Sequence, residues 1–317
     1  MTSSISVNPI DDWDSGDVRA ELARFCKTVF AFYEKSGRKT LPWRVNTGAW
    51  GVLVSECMLQ QTQVERVIPY WEHWLKLWPN PAALAGAPLA EVLRCWSGLG
   101  YNRRARNLWE CAKRITDEFG GAVPQDIALL RTLPGIGPYS ASAVACFAFN
   151  QASVFIETNI RAALIDFFFS RPGAEAATTV KAASPTAETA LFGAPVPDAA
   201  LAAILENILR LKKTSNNPAK NPRLWYWALM DYGAAVKKER HNPARRSAAY
   251  SRQSRFEGSF RQRRGQLVRS LAITGPASAE DLRERTGING DILYEALAAL
   301  EKDMLVACKH GVYMITT

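Results

Sequence analysis

The chain has 317 residues, 48% of them hydrophobic and 22% charged, which supplies a substantial core and excludes a disordered tail protein. Lysine and arginine outnumber aspartate and glutamate by 39 to 30, a formal charge of +9 that suits a polyanionic partner. No apolar run approaches the roughly 18 residues needed to span a bilayer, the amino terminus carries four aspartates in place of a basic leader, and the six cysteines lack any CxxC pair, so an intracellular protein with buried free thiols is expected rather than a secreted or membrane one.

Helical periodicity dominates residues 20–240, with helices predicted at 18–33, 49–60, 64–77 and 89–96. Trp78-Pro79-Asn80-Pro81 and Ser97-Gly98-Leu99-Gly100 break the pattern into elements of ordinary length. Further helices are predicted at 126–132 and 139–149, and the Ala-, Thr-, Pro- and Gly-rich stretch 171–198 reads as a surface connection around a weak helix. Residues 237–264 then hold ten basic residues against two acidic ones. Beyond them, a helix at 264–272, a turn at 274–276, a helix at 279–286 capped by Ser278, an amphipathic helix at 291–303 and two apolar runs at 305–309 and 312–316 form a winged-helix pattern. The third of these helices presents Asp291, Glu295 and Glu301, so base reading by it is not expected.

Leu133-Pro134-Gly135-Ile136-Gly137 separates two predicted helices, with Pro138 suited to the first turn of the second. Gly135 and Gly137 let the backbone turn tightly and approach a ligand, and the amides opening the following helix attract anions, so the segment reads as a phosphate grip. It looks like the hairpin of a helix-hairpin-helix DNA-binding element. Before it come, in order, Leu41-Pro42-Trp43-Arg44, Ser55-Glu56-Cys57-Met58-Leu59-Gln60-Gln61-Thr62-Gln63-Val64, Gly98-Leu99-Gly100-Tyr101 and Arg104-Ala105-Arg106-Asn107-Leu108; Met230-Asp231-Tyr232-Gly233 follows. Together these make the chain resemble the helix-hairpin-helix (HhH-GPD) DNA glycosylases, and the MutY-type adenine glycosylases more than the endonuclease III type.

The resemblance implies an all-α, two-lobed helical glycosylase core at 18–235, with 48–161 a helical barrel carrying the hairpin and 18–47 plus 165–235 a second lobe. A tail at 1–17, a basic connecting segment at 236–263 and a small winged-helix-like domain at 264–317 complete the expected organisation. Glu56 lies among Val52, Leu53, Met58 and Leu59 on a helix poor in charge, where burial would raise its pKa and keep a proton available near neutrality. A glutamate satisfied by a nearby arginine or by amides is the ordinary alternative; the resemblance makes Glu56 the general acid. Glu157 stands where the family has an aspartate, and its charge would stabilise an oxocarbenium-like sugar, though a helix-terminal glutamate that merely favours the local dipole reads equally from the residues. By the same carry-over Asn159 helps place Glu157. Tyr139 occupies the position of the endonuclease III type's Schiff-base lysine, which implies a monofunctional enzyme. Gln61 and Tyr101 match wedge residues that fill the stack when a base is extruded, and Trp43, Arg44 and Leu59 match residues near that base; core packing is the alternative for Trp43 and Tyr101.

Two departures stand out. The family's four cysteine ligands for an iron–sulfur cluster fall here on about Lys237, Ala244, Ser247 and Gln253, so no cofactor is expected, and Arg245, Arg246 and Arg252 of the basic run are expected to hold DNA phosphate instead. The winged-helix-like tail replaces the Nudix-like module that reads the opposite base, and Asn102 replaces a second aromatic. The sequence thus predicts a monomeric, cofactor-free, monofunctional glycosylase in base excision repair that binds double-stranded DNA, in the cytoplasm or at a bacterial nucleoid, with no membrane association. Adenine is the expected base; thymine or another mispaired or damaged base is the alternative, and a non-catalytic DNA-binding scaffold is the competing class.

Overall fold

In the computed structural model the described residues are 13, 15–170, 195–211, 218–251 and 255–316. Most of the predicted tail at 1–17, most of the connection at 171–198, and Arg252 and Gln253 lie outside them. The described chain is all-α apart from one three-stranded sheet, in keeping with the predicted fold class. It forms two compact units, one of residues 1–40 and 145–252, the other of residues 41–144 and 253–317.

The first unit is built on α1 (Gly16–Ser36), α10 (Thr158–Phe169), α11 (Asp198–Arg210) and α12 (Pro222–Glu239). Ser15 caps α1 by accepting from the Val18 amide, and this starts the helix two residues ahead of the apolar periodicity. α12 packs on both α10 and α1. Their core is aromatic: the Phe25 ring lies 4.8 Å from Phe167 and 6.0 Å from Trp225, and Phe155 stacks on Tyr226 at 3.9 Å. Asp231 is buried and accepts from the Arg38 amide at 2.8 Å and Nε at 2.7 Å, tying the end of α1 to α12.

The second unit contains α2 (Pro42–Val45), α3 (Ala49–Leu59), α4 (Val64–Leu77), α5 (Pro81–Ala85), α6 (Leu89–Trp96), α7 (Arg103–Glu118) and α8 (Ile127–Leu130). α9 (Pro138–Phe149) contains the sequence boundary between the units. Tryptophans fill this core, and four of them satisfy their indole N–H groups on carbonyls: Trp50 donates to Trp78, Trp71 to Gly51, Trp96 to Gly100 and Trp109 to Ala87. α13 (Phe260–Thr274), β1 (Ala277–Ser278), α14 (Ala279–Thr286), α15 (Asp291–Lys302), β2 (Val306–Lys309) and β3 (Val312–Ile315) follow, with antiparallel strands in the order β1-β3-β2. Ser278 caps α14 in a reciprocal box with Asp281, and α13 packs on α6 as well as on α14 and α15.

The cysteines correct one expectation. All six are free, and Cys26, Cys57, Cys111 and Cys146 are buried, but Cys95 is only half-buried on amphipathic α6 and Cys308 is exposed on β2, whose outer residues face away from the small core beneath it. No helix among the described residues is long and apolar enough to cross a membrane.

Candidate active site

α3 is apolar along its length, so Glu56 stands out on it. Its residue is only 6% exposed, and Arg44, the third residue of α2, is 8% exposed. These two are the buried charged residues of the second unit among those described. Trp43 is also buried, edge-to-face with Trp71 at 6.0 Å, so it serves the core whatever else it does. Leu59, the last residue of α3, is half-buried.

Past the end of α3 the chain turns sharply at Gln61, which is exposed with φ at +56°; Tyr101 has φ at +51°. Both are non-glycine residues in the left-handed region, a conformation that costs about 1–3 kcal/mol and clusters at functional positions. Arg104, which the sequence reasoning quoted but assigned no role, holds both segments in place. Its Nη1 donates to the Cys57 and Met58 carbonyls at 2.9 and 2.8 Å, and its Nη2 to Leu99 and Gly100 at 3.2 and 3.1 Å and to Thr62 Oγ1 at 3.1 Å. Its guanidinium also lies over the Trp96 and Tyr101 rings. Burial lowers the Arg104 pKa to about 10, against the raising influence of Cys57 and Tyr101.

The hairpin is anchored by Leu133 and Ile136, both buried, while Gly135, Gly137 and Pro138 are exposed. Gly135 has φ at +77°, and a Cβ there would meet Asn107 Cβ at 2.7 Å. Gly137 is different: an added Cβ meets nothing within 4 Å, so the protein itself does not require glycine there. Its carbonyl accepts from the Ala141 amide at 2.9 Å and so begins α9. Tyr139, the second residue of α9, is half-buried, and the neighbouring Ser140 hydroxyl accepts from Gln60 Nε2 at 3.3 Å.

In the first unit Glu157 caps α10. Its Oε1 accepts from the Asn159 and Ile160 amides at 2.7 and 2.9 Å, and its Oε2 from Asn159 Nδ2 at 3.2 Å. Asn159 Oδ1 in turn accepts from Lys237 Nζ at 3.2 Å. Burial raises the Glu157 pKa, opposed by the two amides and then by the positive charges of Lys237 and Arg161. The carboxylate is thus fixed in direction by three donors, which meets the dipole reading and the catalytic one alike. Gly233 makes this possible. A Cβ there would fall 1.9 Å from the Asn159 carbonyl oxygen, so only glycine lets α12 approach the start of α10. Lys237 and Gly233 were absent from the predicted site because their partners lie in a distant part of the chain.

The basic run divides between packing and exposure. Arg240 pairs with Asp166 at 2.6 Å and Arg246 Nη1 donates to the Phe169 carbonyl at 2.5 Å, while Arg245 is exposed. A 3-10 turn (Pro243–Arg246) lies on α10, with Ala244 and Ser247 buried. The three described positions that the resemblance assigned to cluster ligands, Lys237, Ala244 and Ser247, carry no thiol and are engaged in packing or hydrogen bonds, so these residues do not fit an iron–sulfur cluster. Arg252 lies outside the described residues.

One unit thus carries a buried acid on a charge-poor helix, two residues with positive φ and a glycine hairpin, and the other a donor-fixed carboxylate that caps α10. The family model of the HhH-GPD superfamily base excision DNA repair proteins matches residues 54–218, over half of the chain, and the chain belongs to that family. An adenine DNA glycosylase of Mycolicibacterium smegmatis is 50% identical over 134 residues, 42% of this chain and 45% of that protein. The human adenine DNA glycosylase is 40% identical over 150 residues, 44% of this chain and 27% of that protein. The matches therefore span less than half the length of these relatives. A solved structure of a thermostable thymine-DNA glycosylase aligns with a TM-score of 0.54 at 20% identity, over 71% of this chain and 91% of that one, a likeness of fold.

Proposed function

We propose that this protein is a monofunctional DNA glycosylase that hydrolyses the bond between an extruded base and its deoxyribose in duplex DNA, with adenine as the base. Glu56 carries the reading: it is a glutamate only 6% exposed on an apolar helix, within residues 54–218 that the family model matches. A carboxyl group at that position can act as the general acid for a departing base.

Glu56 protonates the departing base, and the bonding pair of the glycosidic bond leaves with it. The Glu157 carboxylate, aimed by Asn159 and Lys237, stabilises the positive charge that develops on the sugar. Water then adds to C1′ and releases a proton, leaving an abasic site. Gln61 and Tyr101 fill the stack vacated by the base, and the Gly137 end of the hairpin lies against phosphate, where a side chain would stand in the way. With Tyr139 where a lysine would be needed, no Schiff base forms and the strand stays intact. The reading also makes the protein a cofactor-free monomer acting within the cell.

The test is a panel of duplexes carrying adenine, thymine or damaged pyrimidines in mismatches, incubated with the protein and then treated with alkali. Alkali-dependent breaks at adenine support the proposal; breaks confined to another base change the substrate, and none across the panel favours the scaffold.

A further inference from the structure

Within the unit of residues 41–144 and 253–317, a cavity of about 720 Å³ opens between the 97–104 loop and α13. Its wall carries Arg66, Arg103, Arg104, Arg261, Arg264 and Arg269 against a single carboxylate, Asp303. α13 itself contains four arginines and no acidic residue.

Several of these cations have structural duties. Arg264 hydrogen-bonds to Asp303, which Arg103 also approaches at 3.5 Å. Arg261 donates to the Tyr101 hydroxyl and lies 4.6 Å over the Tyr101 ring and 5.3 Å from that of Phe256. These contacts fix α13 beside Tyr101. They leave a concave wall with a large excess of positive charge, which repels itself until an anion enters. Arg66 and Arg269, both exposed, stand outside those pairs. Gln60, four residues or about 6 Å of helical rise beyond Glu56, lines the same wall, as does Gln61.

We propose that α13 of the carboxy-terminal module is a duplex-DNA contact: with Arg66 and the 97–104 loop it completes a basic groove that holds the phosphodiester backbone beside the nucleotide presented to Glu56. The module then acts as a backbone clamp through its first helix, and its acidic third helix needs no groove to read. The placement of the DNA rests on the glycosylase reading; the binding of a polyanion rests on the wall.

The experiment uses the full chain and a short fluorescent duplex with one A·G mismatch, titrated by anisotropy over a range of salt. Arg66→Glu and Arg269→Glu are compared with Arg210→Glu, an exposed charge reversal in the other unit. Each groove variant is expected to weaken binding about 10-fold and to lower the slope of log K against log salt by about 1, with the control unchanged. Unchanged affinity and slope in the double groove variant overturn the proposal, as does displacement of the duplex by polyglutamate or single-stranded RNA as readily as by unlabelled duplex. If no abasic sites form while the groove variants weaken duplex binding, the groove stands and the glycosylase reading falls. If abasic sites form and binding is unaltered in the variants, the groove falls alone.

Discussion

Gly233→Ala places a methyl group where α12 meets the first turn of α10. The added Cβ would lie 1.9 Å from the Asn159 carbonyl oxygen, about 1.4 Å inside the ~3.3 Å at which carbon and carbonyl oxygen touch. Both sides of this clash are backbone, so no rotamer relieves it and the start of α10 must move by about 1 Å. Overpacking of this kind costs about 3 kcal/mol, and the better helix propensity of alanine returns about 1 kcal/mol, leaving a net loss of about 2 kcal/mol. The catalytic loss should be larger, because Glu157 and Asn159 move with that first turn and a 1 Å misplacement costs about 100-fold in rate. The assay is single-turnover base release at saturating enzyme, with urea unfolding in parallel. A variant that loses stability yet releases base within about 3-fold of the wild-type rate would refute the claim that this contact aims Glu157.

Gly135→Ala meets Asn107 and a positive φ and should lower stability by about 2 kcal/mol, whereas Gly137→Ala should leave unfolding unchanged and weaken duplex binding; urea midpoints and anisotropy separate the two. Arg104→Lys keeps the charge but not the fork that spans five acceptors, and should cost about 3 kcal/mol in urea unfolding. Glu157 must be anionic to act, and burial raises its pKa, so the acid limb of the single-turnover pH profile should lie above the ordinary glutamate range. Lys237 lowers that pKa, so Lys237→Met should shift the limb further up; a downward shift contradicts the assignment. The same raised pKa makes the Glu157 contribution to stability greatest at low pH and lost as pH rises through it.

Much of the fold could be read from local pattern because the determinants are local. α4 and α6 span the predicted 64–77 and 89–96, and Ser278 caps α14 where a serine before an acidic first turn places it. Asp126 proves to be a cap rather than a helical residue, which shortens α8 to Ile127–Leu130. The short α2 and α5 and the two-residue β1 escaped notice because periodicity needs more residues than they contain. Motif spacing exposed Glu56, the hairpin, Glu157 and its partner Asn159 as candidates, whereas the supports supplied by Arg104 and Lys237 did not show. Arg104 reaches carbonyls 46 and 47 residues away, and Lys237 meets Asn159 across 78 positions. Such pairings are set by helix packing, which no residue-by-residue pattern records. Within the basic run Arg240 pairs with Asp166 and Arg246 donates to the Phe169 carbonyl, engagements that a count of charges along the sequence does not reveal.

The most direct test of the proposed chemistry is single-turnover release of adenine from a mismatched duplex by wild type and Glu56→Gln, with duplex affinity measured on the same samples. The account predicts equal affinity and a rate lower by about 1,000-fold in the variant, since a glutamine keeps the shape but has no acidic proton to give. Equal rates in the two proteins would contradict it.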